Sequence, residues 1–142
     1  MSRGLGDVYK RQLYNYVGQP WRTQEIVDEV LHTLYFNNPD GLSGNEDCGQ
    51  MSAWYILNAM GFYQVCPGKP VYSIGRPLFN EATVHLKDGK SFKVIAHNNS
   101  RDNKYVRSIV LNGNKLETPF FTHQDIVDGG TLELTMGSEP LK

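Results

Sequence analysis

Pro39-Asp40-Gly41-Leu42-Ser43-Gly44-Asn45-Glu46-Asp47-Cys48-Gly49-Gln50-Met51-Ser52-Ala53-Trp54-Tyr55 sets a run of turn formers directly against the start of an apolar-striped segment. Between Asp40 and Gln50, eleven residues hold three carboxylates, two side-chain amides and three glycines. Glycine admits positive φ and lets backbone approach a ligand closely. Met51, Trp54, Tyr55, Leu57 and Met60 then recur at helical spacing, which predicts a helix from about Asp47 to Met60, stopped by Gly61. Asp47 with Gln50 three residues later has the form of a capping box. Capping and chemistry therefore compete for one carboxylate.

Upstream, Ile26, Val27, Val30, Leu31, Leu34 and Tyr35 make one continuous stripe at helical period. Thr23 is placed to cap that helix, Glu25 falls in its first turn, and Pro39 lies beyond its end. Downstream, from Val71, the period changes to two. Residues 83–87 and 91–96 flank Lys87-Asp88-Gly89-Lys90, a strong hairpin signal, and a second hairpin is expected where residues 105–111 meet Asn112-Gly113. A last strand, 131–136, follows Asp128-Gly129-Gly130. The fold class is therefore α+β, with a helical part over 13–66, a β-rich part over 71–142, and Cys66-Pro67-Gly68-Lys69-Pro70 as the boundary. Two helices with one-sided stripes cannot bury themselves alone, so they belong to a larger helical assembly. Residues 1–12, MSRGLGDVYKRQ, lack either period and resemble a non-native scar.

A chain of 142 residues suits one domain, and a net charge of -1 gives no electrostatic basis for a nucleic-acid partner. Apolar runs such as Ile109-Val110-Leu111 are far too short for a membrane span. Cys48 and Cys66 could form a disulfide or remain two thiols; neither sits in a CxxC motif. His32, His85, His97 and His123 are scattered without i, i+4 pairing, which argues against zinc. The acids after Asp40 do not follow the alternation of an EF-hand.

Four motifs in register resemble glycoside hydrolase family 92: Gly18-Gln19-Pro20-Trp21-Arg22-Thr23-Gln24, the 39–55 stretch quoted above, Gly61-Phe62-Tyr63 with Cys66-Pro67-Gly68, and Tyr72-Ser73-Ile74-Gly75-Arg76-Pro77-Leu78-Phe79. The resemblance runs from about Leu13 to the end. It implies a C-terminal fragment of a larger enzyme, holding the closing helices of an (α/α)6 barrel followed by an antiparallel β region. The implied activity is calcium-dependent, exo-acting removal of α-mannose from glycans with inversion, in which a carboxylic acid protonates the leaving oxygen and a carboxylate activates water. The resemblance places the base on Asp47, with Glu46 and Asn45 in support; some members carry an acid where Asn45 stands. Glu25 matches a possible calcium ligand, against the alternative of a favourable first-turn charge. The general acid is expected upstream of residue 13, in the missing N-terminal part, and a periplasmic or secreted location is implied. A second reading is a carbohydrate-binding β module using Phe92, Tyr105, Phe120 and Phe121.

Overall fold

The computed structural model describes residues 10–142. A 3-10 helix, Lys10–Val17, leads into helix α1, Pro20–Thr33, and helix α2, Gln50–Met60. Strands β1 (Phe62–Tyr63), β2 (Val71–Ile74), β3 (Glu81–His85), β4 (Ser91–His97), β5 (Tyr105–Leu111), β6 (Asn114–Lys115) and β7 (Phe120–Thr122) follow. Short helix α3, His123–Val127, and strand β8, Gly130–Gly137, complete the order. The α+β class holds.

Helix α1 starts earlier than the Thr23 cap expected from sequence. Pro20 occupies its first turn, where a missing N–H costs nothing, and Gln19 is the cap residue. Thr23 is instead buried inside the helix and donates its hydroxyl to the Arg11 carbonyl at 3.2 Å. Helix α2 likewise starts three residues later than expected, and its cap residue Gly49 is left-handed with no side-chain cap bond. Its end is as read: Gly61, at φ 109, donates its N–H to the Leu57 and Asn58 carbonyls.

The strands form two sheets. One is antiparallel in the order β1-β2-β7; the other runs β3-β4-β8-β5-β6. Both expected hairpins form, β3 with β4 and β5 with β6. The last strand inserts between them, antiparallel to β5 but parallel to β4, so the β region is mixed rather than purely antiparallel.

Two apolar clusters hold the molecule. Val27, Val30, Leu31, Met51, Trp54 and Tyr63 fill the helical one. Phe62, Ile74, Phe92, Phe121, Leu132 and Leu134 are among those filling the β one. The 66–70 linker is an exposed loop, yet it does not separate the two parts. Strand β1, which precedes it, pairs with β2, which follows it. Phe62 of that strand enters one core while its neighbour Tyr63 enters the other, and Leu57 touches both.

The expected scar also needs correction at its inner edge. Gln12 is fully buried and donates to Asn58 Oδ1 at 2.6 Å, and Asn15 donates to Ser73 Oγ and to the Ile74 carbonyl at 2.8 Å. Lys10 to Gln12 therefore belong to the folded domain; the remainder of that expectation, residues 1–9, lies outside the described residues. Among the described residues no helix is long and apolar enough to cross a membrane. Phe92, Tyr105 and Phe121, three of the four aromatics considered for a sugar-binding face, are buried, and Phe120 packs its ring on Tyr16.

Candidate active-site loop

The acidic loop is built from two tight closures. In the first, Phe36 N–H donates to the Gly41 carbonyl at 2.9 Å and Gly41 N–H donates to the Asn38 carbonyl at 3.0 Å. Only glycine fits there, because a Cβ on residue 41 would lie 1.8 Å from the Phe36 carbonyl oxygen.

The second closure is the entry to α2. Asp47 (φ 45), Cys48 (φ 61) and Gly49 (φ 87) are three consecutive left-handed residues. An L-residue other than glycine pays about 1–2 kcal/mol for that conformation, so something must hold it. Glu46 does. Its carbonyl accepts from Gln50 N–H at 3.0 Å and from Met51 N–H at 3.3 Å, and its carboxylate Oε1 accepts from Ser52 N–H at 3.2 Å. The first N–H groups of a helix have no intrahelical partner. One residue, Glu46, meets the first three of α2. The ordinary ladder then begins with Ala53 N–H donating to the Gly49 carbonyl at 2.9 Å.

The capping box read at Asp47 and Gln50 is thus not formed, since the backbone loops out at Asp47 instead of entering the helix. The consequence is chemical. Asp47 and Asn45 are exposed, and among the described residues no hydrogen bond or ion pair engages the Asp47 carboxylate. Glu46 is half-buried, with Oε2 shielded from solvent. Asn45, Glu46 and Asp47 come together by adjacency, and the fold divides their work: Glu46 faces inward as the cap and Asp47 faces outward. A hollow of about 380 Å³ opens beside this loop, bounded by Tyr35, Phe36, Leu42, Ser52, Tyr55 and Ile56.

Glu25 stands elsewhere, at the junction of α1 with β5. Its Oε1 accepts from Tyr105 Oη–H at 2.7 Å, and its Oε2 accepts from Arg22 Nη1 at 2.9 Å. Burial raises its pKa, but the hydrogen bonds from Tyr105 and Arg22 and the charges of Arg22 and Lys104 outweigh that and hold it below 4.5. Burial first, and then Glu25 itself, pushes the Tyr105 phenol from 10.0 to about 12. Both Glu25 oxygens are committed to donors and the nearby charges are cationic, so this arrangement does not fit a calcium ion. Among the described residues no three His, Cys, Asp or Glu side chains gather as a metal cluster.

Sequence reasoning missed one ionic anchor. Arg76 Nε lies 2.8 Å from Asp28 Oδ1, both groups almost fully buried, and Arg76 Nη2 donates to the Ser100 carbonyl at 2.9 Å. The one available signal was an arginine inside the otherwise apolar Ile74–Phe79 run. Cys48 and Cys66, left open in the sequence, are both free and exposed.

The chain is an α+β domain that presents carboxylates from a constrained helix-entry loop. Residues 10–138 match the glycosyl hydrolase family 92 catalytic domain. The chain belongs to that family. It is 30% identical over 130 residues to an uncharacterized secreted glycosidase of Arthroderma benhamiae, covering 89% of this chain and 17% of that protein. Among solved structures it resembles a family GH92 α-mannosidase of Bacteroides thetaiotaomicron in complex with mannoimidazole (TM-score 0.91, 40% identity, 97% of this chain and 18% of that one). It is also similar to a family GH92 inverting mannosidase of Bacteroides thetaiotaomicron VPI-5482 (TM-score 0.86, 47% identity, 93% of this chain and 18% of that one). The chain therefore spans less than a fifth of the length of these relatives.

Proposed function

We propose that this chain is the C-terminal part of an exo-acting α-mannosidase that removes terminal α-mannose from glycans with inversion. Residues 13–66 supply closing helices of an (α/α)6 barrel, and 71–142 form the β-rich region attached to them. The observation that carries the reading is the exposed, uncommitted Asp47 carboxylate on a loop tied from behind by Glu46, in a member of this family. Asp47 acts as general base, taking a proton from water as it attacks the anomeric carbon. Asn45 is placed beside it to orient that water. An inverting site keeps its two carboxyl groups about 6.5–9.5 Å apart so that the water fits between them. The acid that protonates the leaving oxygen comes from the part of the enzyme preceding this chain.

Calcium is the family's expected cofactor, and its ligands come from that same preceding part, since Glu25 is engaged by Arg22 and Tyr105. Glu25 instead ties the helical part to the β region. A secreted or periplasmic location is supported by the fungal relative described as secreted.

The complete parent enzyme carrying Asp47→Asn tests the base. It should release mannose from an α-mannoside about 10²–10⁴-fold more slowly while keeping its fold. Proton NMR of the first sugar released by the unaltered enzyme should show the β-anomer; the α-anomer would exclude inversion.

A further inference from the structure

We infer that Glu46 is a positioning residue for this reaction, acting through its reach to the Ser52 amide and not through its charge or basicity. The inference rests on the proposed role of Asp47 and extends it to the residue that aims the base.

The geometry separates the two adjacent acids. Three acceptor contacts from Glu46, two through its carbonyl and one through Oε1, close the first turn of α2 from outside the helix. That closure forces the chain between Glu46 and Gln50 to bulge outward through three left-handed residues, the first of which is Asp47. A left-handed Asp and a left-handed Cys in succession persist only where the surroundings over-determine them. The two carbonyl contacts belong to the backbone and survive any substitution. The Oε1 contact to Ser52 is the part that the side chain alone provides. Without it the bulge keeps only its backbone contacts, which include Gln50 N–H on the Asp47 carbonyl at 3.3 Å, so Asp47 is aimed less tightly; a carboxylate shifted by about 1 Å loses on the order of a hundredfold in rate. Gly49 carries the last of the three positive φ values, 87, which glycine adopts without strain.

Charge and reach can be varied separately. Glu46→Gln keeps an acceptor oxygen at the same reach and removes the charge; Glu46→Asp keeps the charge and is one methylene too short. In the complete parent enzyme the clamp requires Glu46→Gln to keep kcat within about threefold of the unaltered enzyme, because Asp47 remains the base. Glu46→Asp should lower kcat roughly tenfold to a hundredfold with KM little changed. A Glu46→Gln enzyme as slow as Asp47→Asn would overturn the inference and make Glu46 a reacting carboxylate. A Glu46→Asp enzyme with normal kcat would overturn it too, by showing that the reach is not needed. A merely structural cap would lower the melting temperature of Glu46→Asp and leave its kcat per folded molecule unchanged, which likewise counts against positioning. Asp47→Asn, assayed alongside, keeps the two readings distinct. If that variant is fast, the base assignment fails whatever Glu46 does; if it is slow while Glu46→Gln is also slow, only the clamp fails.

Discussion

Glu46 and Asp47 share a peptide bond and face opposite ways, and that division decides what each can do. Pattern counting from the sequence put the cap on Asp47 because Gln50 stands three residues later. The count failed because three left-handed residues intervene before the helix begins, and positive φ at a non-glycine residue leaves no mark on apolar spacing. The acids themselves were legible, as was the importance of their glycines. Gly41 gives a test at this scale. Any Cβ there would strike the Phe36 carbonyl oxygen, so Gly41→Ala must push the 36–41 closure open. A cost on the order of 1–3 kcal/mol is expected, as for other forced loop rearrangements. Denaturant unfolding would read it as a lower midpoint at unchanged slope.

At the scale of elements, local signals survived and distant ones did not. Asp88-Gly89 and Asn112-Gly113 announced their hairpins because short turns depend on a few neighbouring φ angles. The parallel pairing of β4 with β8 joins strands separated by β5, β6, β7 and α3, and nothing local encodes it. The Glu25–Tyr105 contact between α1 and β5 is similarly distant and carries a pH signature. Glu25 has a lowered pKa in the fold, so its contribution is present above the unfolded-chain value and is lost as pH falls through the folded one. Tyr105 has a raised pKa, so its contribution is intact below pH 10.0 and is lost as pH climbs through about 12. Tyr105→Phe deletes the hydrogen bond that most lowers the Glu25 pKa. Stability measured by urea midpoint across a pH series should then lose less on the acid side, because the folded Glu25 pKa lies nearer the unfolded-chain value, and the alkaline loss between pH 10.0 and about 12 should shrink. An unchanged acid limb would mean that Arg22 and Lys104 set Glu25 without Tyr105.

The whole molecule is knit more tightly than its sequence suggested, and on the proposed reading it holds only one half of an acid–base pair. Strand β1 carries one residue into each core, and the buried Asp28–Arg76 pair fastens α1 to the segment after β2, so the exposed linker does not divide two independent domains. Yet Leu13, Tyr16, Val17, Phe36, Leu42 and Ile56 remain exposed on the helical part, an apolar surface that further helices could cover, and the relatives the chain matches are more than five times as long. Hydrolysis of a glycosidic bond needs a proton delivered to the leaving oxygen as well as a base for water. On the proposed reading, which puts the base on Asp47 and the acid in a preceding part, the 142-residue chain alone should release no mannose from α-mannosides, with or without added calcium. The complete parent enzyme should be active under the same conditions, and a chelator should silence it. Reducing-sugar release from a p-nitrophenyl α-mannoside and from an α-mannan, compared between the isolated chain and the parent enzyme, makes the measurement. Calcium-dependent turnover by the isolated chain would place both halves of the acid–base pair within its 142 residues and remove the need for an upstream acid.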